Sequence, residues 1–189
     1  MTVHKRVYRK RFKIVLVPLG EVDYGVVNRL ATNLVSIFNT GVDILQGMKI
    51  PKEAYNRTRG QYYSTVILNK LELLRSSSRE KILGVLDEDL YIPSAGFVYG
   101  DADYDGKVAV LSLHRLKQQS LDMFDDEKLF LFRTVKEAVH QLGHLLGLKH
   151  CPNPRCVMHF TNSLLEADGK SEKLCDNCKR KVEPQILIE

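Results

Sequence analysis

Residues 140–150 read HQLGHLLGLKH, and no other stretch restricts the possible folds of this chain as strongly. His140 and His144 are four apart, so on a helix they share one face about one turn apart and both imidazoles reach one ion. Gly147 follows, a residue type that takes a left-handed conformation without strain, ends a helix and turns the chain sharply. After such a turn His150 returns to the same ion as a third ligand. Three neutral nitrogen ligands with a fourth position left to water describe a catalytic type of zinc site rather than a closed structural one. An HxxxH pair alone arises on helices by chance. The glycine, the third histidine and the cysteines beyond it carry the metal reading.

The four cysteines, Cys151, Cys156, Cys175 and Cys178, all lie in the last quarter of the chain. CxxxxC followed by CxxC suits thiolate metal binding better than disulfides, and four thiolates close a tetrahedral zinc with no open position. Two zinc ions are therefore expected, one catalytic in type and one structural. The segment beyond residue 146 is about 40 residues long, a length that rarely folds without a staple. Because Cys151 directly follows His150, the staple also constrains where the third histidine points.

Composition bounds the rest. At 189 residues, 44% hydrophobic and 27% charged, the chain fits one domain, or one with a small appendage. No apolar run approaches the roughly 20 residues of a membrane span. The start, MTVHKRVYRKRFK, is basic, but the apolar IVLVPLG after it is too short for a signal peptide and lacks a small-residue cleavage site. A cytoplasmic protein, monomeric and without membrane contact, is expected. The net charge of +5 is concentrated at Lys5, Arg6, Arg9, Lys10, Arg11 and Lys13. Such a cluster attracts nucleic acid or an acidic partner, but no RNA motif or recognition helix accompanies it, so a solvated end or charged edge strand is the preferred reading.

Strand and helix signals alternate over the first 116 residues. Residues 12–17 read as a buried strand ending at Pro18 and Gly20. Val26, Leu30, Leu34 and Ile37 recur at helical spacing, and Asn39 with Gly41 stops that helix. Residues 42–45 form a short strand, residues 63–74 a second helix, and residues 82–86 another strand. Residues 97–99 and 108–113, separated by DADYDG, suit a hairpin or an edge strand crossing the sheet. A long helix from Asp125 or Asp126 to about Leu146 carries Leu129, Phe132, Val135, Val139, Leu142 and Leu146 on one face. The fold class is α/β (α+β): a mixed, largely parallel sheet with helices packed on it.

In the pattern of residues 140–178 the chain resembles the archaemetzincins, whose motif is HExxHxxGxxHC, four residues, CxM, a spacer and CxxC. His140, His144, Gly147, His150, Cys151, Cys156, Met158, Cys175 and Cys178 fill its positions. The resemblance implies a metzincin-like mixed sheet over a long active-site helix. It divides the chain into an upper subdomain, residues 1–146, and a lower, zinc-stapled one, residues 147–189. It also implies that Met158 forms a hydrophobic Met-turn beneath the histidines, and that peptides are cut by zinc-bound water. An edge strand would align the substrate by backbone pairing, with Tyr99, Tyr104 and residues 108–113 bordering the cleft.

The motif departs from the family at one place. Gln141 stands where the resemblance expects the general-base glutamate, and an amide orients water without taking its proton. Loss of a general base typically costs about 10²–10⁴ in rate. The resulting expectation is an archaemetzincin-like peptidase, impaired or inactive as written. The alternatives are a silent peptide-binding relative and, third, a zinc-ribbon-like nucleic-acid binder. Glu137, four residues before Gln141, is weighed as a replacement base and read instead as a supporting or surface charge, while His159 is given a packing or surface role.

Overall fold

The computed structural model describes residues 12–105, 107–117 and 126–186. Five of the six basic residues of the N-terminal cluster lie outside them. The sixth, Lys13, pairs with Asp43 at the sheet margin.

The principal sheet has the order β2-β1-β5-β9-β8. It is built from β1 (Lys13–Leu19), β2 (Val42–Ile44), β5 (Glu80–Leu86), β8 (Gly100–Asp103) and β9 (Val108–Ser112). The first three of its four pairings are parallel, and β8 closes the sheet antiparallel to β9. Strands β1, β5 and β9 read as continuous apolar runs because both faces are covered. Ile14, Leu16, Leu83, Val85, Ala109 and Leu111 face one layer of helices. Val15, Val17, Leu19, Ile82, Leu86, Val108 and Val110 face the other. Strand β1 runs past Pro18 to Leu19, further than expected, because Pro18 contributes its carbonyl, which accepts from Met48 N at 3.0 Å.

Helix α1 (Tyr24–Phe38) starts where the Asp23 carboxylate caps Gly25 N at 2.7 Å and ends at Asn39 in the left-handed conformation. It packs with α3 (Asp126–Leu145) on the first face. The proposed cap Asp125 lies outside the described residues. On the second face lies α2 (Ser64–Glu72), admitted by Gly84: a Cβ there would stand 2.7 Å from Leu71 Cδ1. Helix α2 is shorter than expected at both ends. Tyr63 is a strand residue, and Leu73 and Leu74 are solvent-exposed past the last turn, so their apolar character does not extend the helix.

A second, small sheet of order β3-β4-β6-β7 was not foreseen. Its strands β3 (Tyr55–Asn56), β4 (Gln61–Tyr63), β6 (Leu90–Ile92) and β7 (Ala95–Val98) have at most four residues each, too short for an alternation pattern to register. The edge-strand expectation for residues 108–113 is corrected. Strand β9 is paired on both sides and fully buried, and β8 is the edge strand. The hairpin across DADYDG therefore joins β8 to β9, while most of 97–99 belongs to β7 in the other sheet.

The C-terminal part contains α4 (Leu164–Gly169) and α5 (Asp176–Ile186). Arg133 of α3 forms a two-pronged pair with Asp168 at 2.8 and 2.6 Å, and Lys136 Nζ donates to the carbonyls of Ala167, Asp168 and Lys170. Cys151, Cys156, Val157, Met158, Cys178 and Val182 share one buried cluster with the sheet, α1 and α3. Among the described residues no helix is long and apolar enough to cross a membrane.

Candidate active site and metal centres

Helix α3 delivers His140, Gln141 and His144 to the floor of a cleft, and its termination delivers the rest. Gly147 has φ 86°, Leu148 N donates to Gly143 O at 3.0 Å and Gly147 N to His144 O at 2.8 Å. This is the Schellman termination that a glycine after the last turn favours. It aims the Leu148 carbonyl at His144 Nδ1, 2.8 Å away. His140 Nδ1 makes the equivalent contact with Val157 O at 2.8 Å. A carbonyl can only accept, so both Nδ1 atoms carry the hydrogen and both Nε2 atoms are bare.

Those two bare nitrogens face each other at 3.0 Å. Two lone pairs cannot hydrogen-bond, so the arrangement calls for a cation between them. Zn–N bonds of about 2.0–2.1 Å in a tetrahedron place nitrogens about 3.3 Å apart, close to what is seen. The His150 ring lies 5.3 Å from that of His140 and 5.0 Å from that of His144, and one nitrogen of each of the three residues fits within 4.8 Å of the others. Burial holds His140 and His144 down to about 4. The Lys170 ammonium adds to this at His140, and the neighbouring His140 at His144. His150, at the exposed mouth, is lowered by partial burial and by Lys170. The imidazoles are thus in the neutral, ligating form near pH 7. The donor set fits zinc.

Met158 is fully buried beneath this group, against Gly143 on the helix turn between His140 and His144. Its carbonyl accepts from Cys151 N at 2.9 Å, and His159 Nδ1 lies 2.9 Å from Cys151 O. His159 thus ties the turn to the strand of chain after His150, in the packing role expected of it.

Cys151, Cys156, Cys175 and Cys178 place their sulfurs within 4.8 Å of one another, with Cys151 and Cys175 at 3.8 Å. Disulfide sulfurs stand about 2.05 Å apart, whereas four thiolates around zinc at about 2.3 Å stand about 3.8 Å apart. The spacing matches the second case. Cys175 is pulled down to about 7, foremost by the Cys178 backbone amide, while burial pushes Cys156 and Cys178 up.

The cleft has a volume of about 620 Å³. Edge strand β8 and the chain before it line the cleft together with Tyr99 and Tyr104, and so do Phe160, Thr161 and Asn162, which follow Met158 in sequence. The Tyr104 ring stands 5.0 Å from that of His144, and the Phe160 ring 5.1 Å from that of His150. Gln141 is buried, and its Nε2 donates to Glu137 Oε1 at 2.6 Å. A carboxylate only accepts, so the amide orientation is set, leaving Oε1 as the acceptor available to a water. Glu137 is therefore a cleft group attached to Gln141 rather than a free surface charge. Sequence reasoning missed Lys170, which lines the same cleft while buried. A lone lysine in a polar loop carries no periodic signal.

Residues 10–184 match the model of peptidase family M54. The archaemetzincin of Pyrococcus furiosus is 40% identical over 182 residues, covering 93% of this chain and 95% of that one. The crystal structure of the archaemetzincin from Archaeoglobus fulgidus, complexed with malonate, is similar with a TM-score of 0.78 at 41% identity, over 89% of this chain and 99% of that one. That of Methanopyrus kandleri gives 0.80 at 35% identity over 93% and 95%. Sequence, fold and the metal-ready histidines agree, and the chain belongs to peptidase family M54, the archaemetzincin family of zinc metallopeptidases.

Proposed function

We propose that His140, His144 and His150 hold a catalytic zinc at the floor of a peptide-binding cleft, and that Gln141 occupies the general-base position and leaves the chain impaired or silent in hydrolysis. The observation that carries this is the pair of bare Nε2 atoms facing each other at 3.0 Å inside the cleft. A zinc held by these histidines would supply an acidified water and a polarised carbonyl. The chain's own residues do the remaining work. The outer edge of β8 offers backbone groups to an extended peptide. The Val157 and Leu148 carbonyls keep both helix histidines in the ligating tautomer. Gln141 Oε1 accepts a hydrogen from water and orients it, but the amide has no basicity with which to take the proton.

Cys151, Cys156, Cys175 and Cys178 hold a second, structural zinc. Together with the left-handed Gly147 it supports a division into an upper part through residue 146 and a lower part from residue 147. Four reduced thiols committed to metal also favour a reducing, cytoplasmic setting.

The test compares the zinc-loaded protein with Gln141→Glu on a mixed peptide library, following cleavage by mass spectrometry. Cleavage by the Glu variant alone supports a working frame silenced at residue 141. Zinc-dependent cleavage by the chain as it stands refutes the impairment and points to Glu137, one hydrogen bond away, as the base. Tight peptide binding with cleavage by neither supports the silent binding role. That reading gains weight from residue 141 itself, an amide whose Nε2 occupies the one neighbouring carboxylate oxygen, Glu137 Oε1, at 2.6 Å.

A further inference from the structure

Lys170 follows α4 and lines the cleft, yet it is only 4% exposed. Its backbone is held at both ends of the residue: its N–H donates to Ala167 O, and its carbonyl accepts from Lys136 Nζ at 3.3 Å. Its ammonium donates to His159 O at 3.0 Å. An ammonium has three N–H donors, so two remain for a ligand. The residue shares the cleft lining with His140, His144 and His150.

A buried cation is unfavourable unless an anion or several acceptors compensate it. Burial pulls Lys170 below the usual lysine range, against the opposing pull of Glu137 and Cys156. Glu137 already accepts from Gln141. That bond comes from a neutral amide and leaves the carboxylate charge in place, but among the described residues the Lys170 ammonium forms no ion pair, and its one side-chain contact is the neutral His159 carbonyl. Thr161 and Asn162, which also line the cleft, are neutral.

We propose that Lys170 is the recognition point for a carboxylate of the bound peptide, supplied either by its C-terminus or by an aspartate or glutamate side chain. The proposal rests on the reading of this cavity as the peptide cleft. It assigns the enzyme a preference within peptides that the zinc alone does not impose, because zinc polarises any carbonyl while a buried ammonium selects an anion of matching reach. The competing role for Lys170 is counter-charge to the four-thiolate site, whose Cys156 pulls it upward.

The experiment measures fluorescence anisotropy of three labelled peptides with the zinc-loaded full chain. They share one neutral sequence and differ only at the end: amidated, free carboxylate, or amidated with one glutamate added. Zinc-dependent binding of the neutral amide, lost in His150→Ala, checks the cleft reading by itself. If no peptide binds, that reading falls and the proposal falls with it. The proposal expects at least one carboxylate peptide to bind about tenfold tighter than the neutral amide, about 1.4 kcal/mol. The gain disappears in Lys170→Gln and survives in Lys170→Arg, and the peptide that gains identifies the source of the carboxylate. Equal affinities in the parent chain, or a gain retained in Lys170→Gln, overturn it. So does a Lys170→Gln chain that sheds zinc from the cysteine site with the gain intact, which would mark a counter-charge. A mutation-free arm couples the bound carboxylate to the nearest amine with a carbodiimide. The amide bond is expected at Lys170, and a bond mapped to another lysine overturns the proposal even if the variants do not fold.

Discussion

Met158 lies so close under the α3 backbone that a methyl carbon placed on Gly143 would stand 2.3 Å from its sulfur and 3.1 Å from its Cε. A glycine in a helix interior ordinarily costs about 1 kcal/mol relative to alanine, so one kept here reflects the contact rather than the helix. Gly143→Ala is expected to reverse the usual sign. Overpacking of a filled core costs about 1–3 kcal/mol and exceeds the helical gain. Met158→Ala in the same chain should relieve the clash, so the two substitutions together cost less than the sum of each alone. Urea unfolding of the four chains of this double-mutant cycle checks it, and strict additivity would refute the contact.

The left-handed Gly147 supports the histidine site through Leu148. Gly147→Ala is expected to cost about 1–2 kcal/mol by the steric penalty of that conformation, and Gly147→Asn less. The same change should weaken zinc at the histidines, because the turn aims Leu148 O at His144 Nδ1. Competition with a chromophoric chelator gives the affinity. An unchanged affinity alongside lowered stability would show that His144 is oriented without Leu148.

Removal of one thiolate tests the coupling of the two centres. In Cys156→Ser the bound zinc should fall below two equivalents, and retention at the histidines should also weaken, because Cys151 adjoins His150 and bonds to Met158. Elemental analysis counts the metal. Hydrogen exchange should reveal loss of protection centred on residues 147–186, where the staple acts. Loss confined to one zinc, with the histidine site intact, would separate the centres.

One ion pair away from the metals governs an acid limb. Arg115 Nε and Nη2 reach the two oxygens of Asp89 at 2.7 Å each, and Gln61 donates to Asp89 at 3.0 Å. Burial would raise Asp89, but these bonds outweigh it and hold its carboxyl below the ordinary value. A carboxylate depressed in the folded state contributes stability that is complete above its unfolded pKa of about 3.9 and is lost as pH falls through its folded pKa. Asp89→Asn should therefore destabilise by about 1.5–3 kcal/mol at pH 7, the scale of a hydrogen bond to a charged group, with the difference shrinking below pH 4. Denaturant titrations at pH 7 and pH 3 check the sign. A difference that grows on acidification would contradict it.

Much of the candidate site was legible in the sequence because the residues that could hold metal are local. His140 and His144 need only a helix, and that helix follows from the spacing of Val135, Val139 and Leu142, all buried as expected. Gly147 needs only its missing side chain. The cysteine pairs lie close along the chain, so spacing alone indicated shared ligation. The strands β1, β5 and β9 were readable for a similar reason: burial on both faces leaves an unbroken apolar run.

Other features depend on contacts between distant segments. Whether β8 or β9 forms the edge depends on hydrogen bonds across the hairpin, and both strands are compatible with the same local pattern. The second sheet is made of strands too short to carry a period. Glu137 reads as an exposed helical charge until the packing of α3 beside Gly100 turns its neighbour Gln141 toward it. Lys170 is a polar loop residue by sequence, and it becomes a buried cation in the cleft only because Arg133 and Lys136 draw the end of α4 onto α3. Sequence alone therefore determined which residues can bind metal, since that follows from side-chain chemistry and spacing along one helix and one loop. Only the tertiary structure decided which charges and which strand edge share the cleft with them, because burial and the orientation of a hydrogen bond exist only once remote segments have packed.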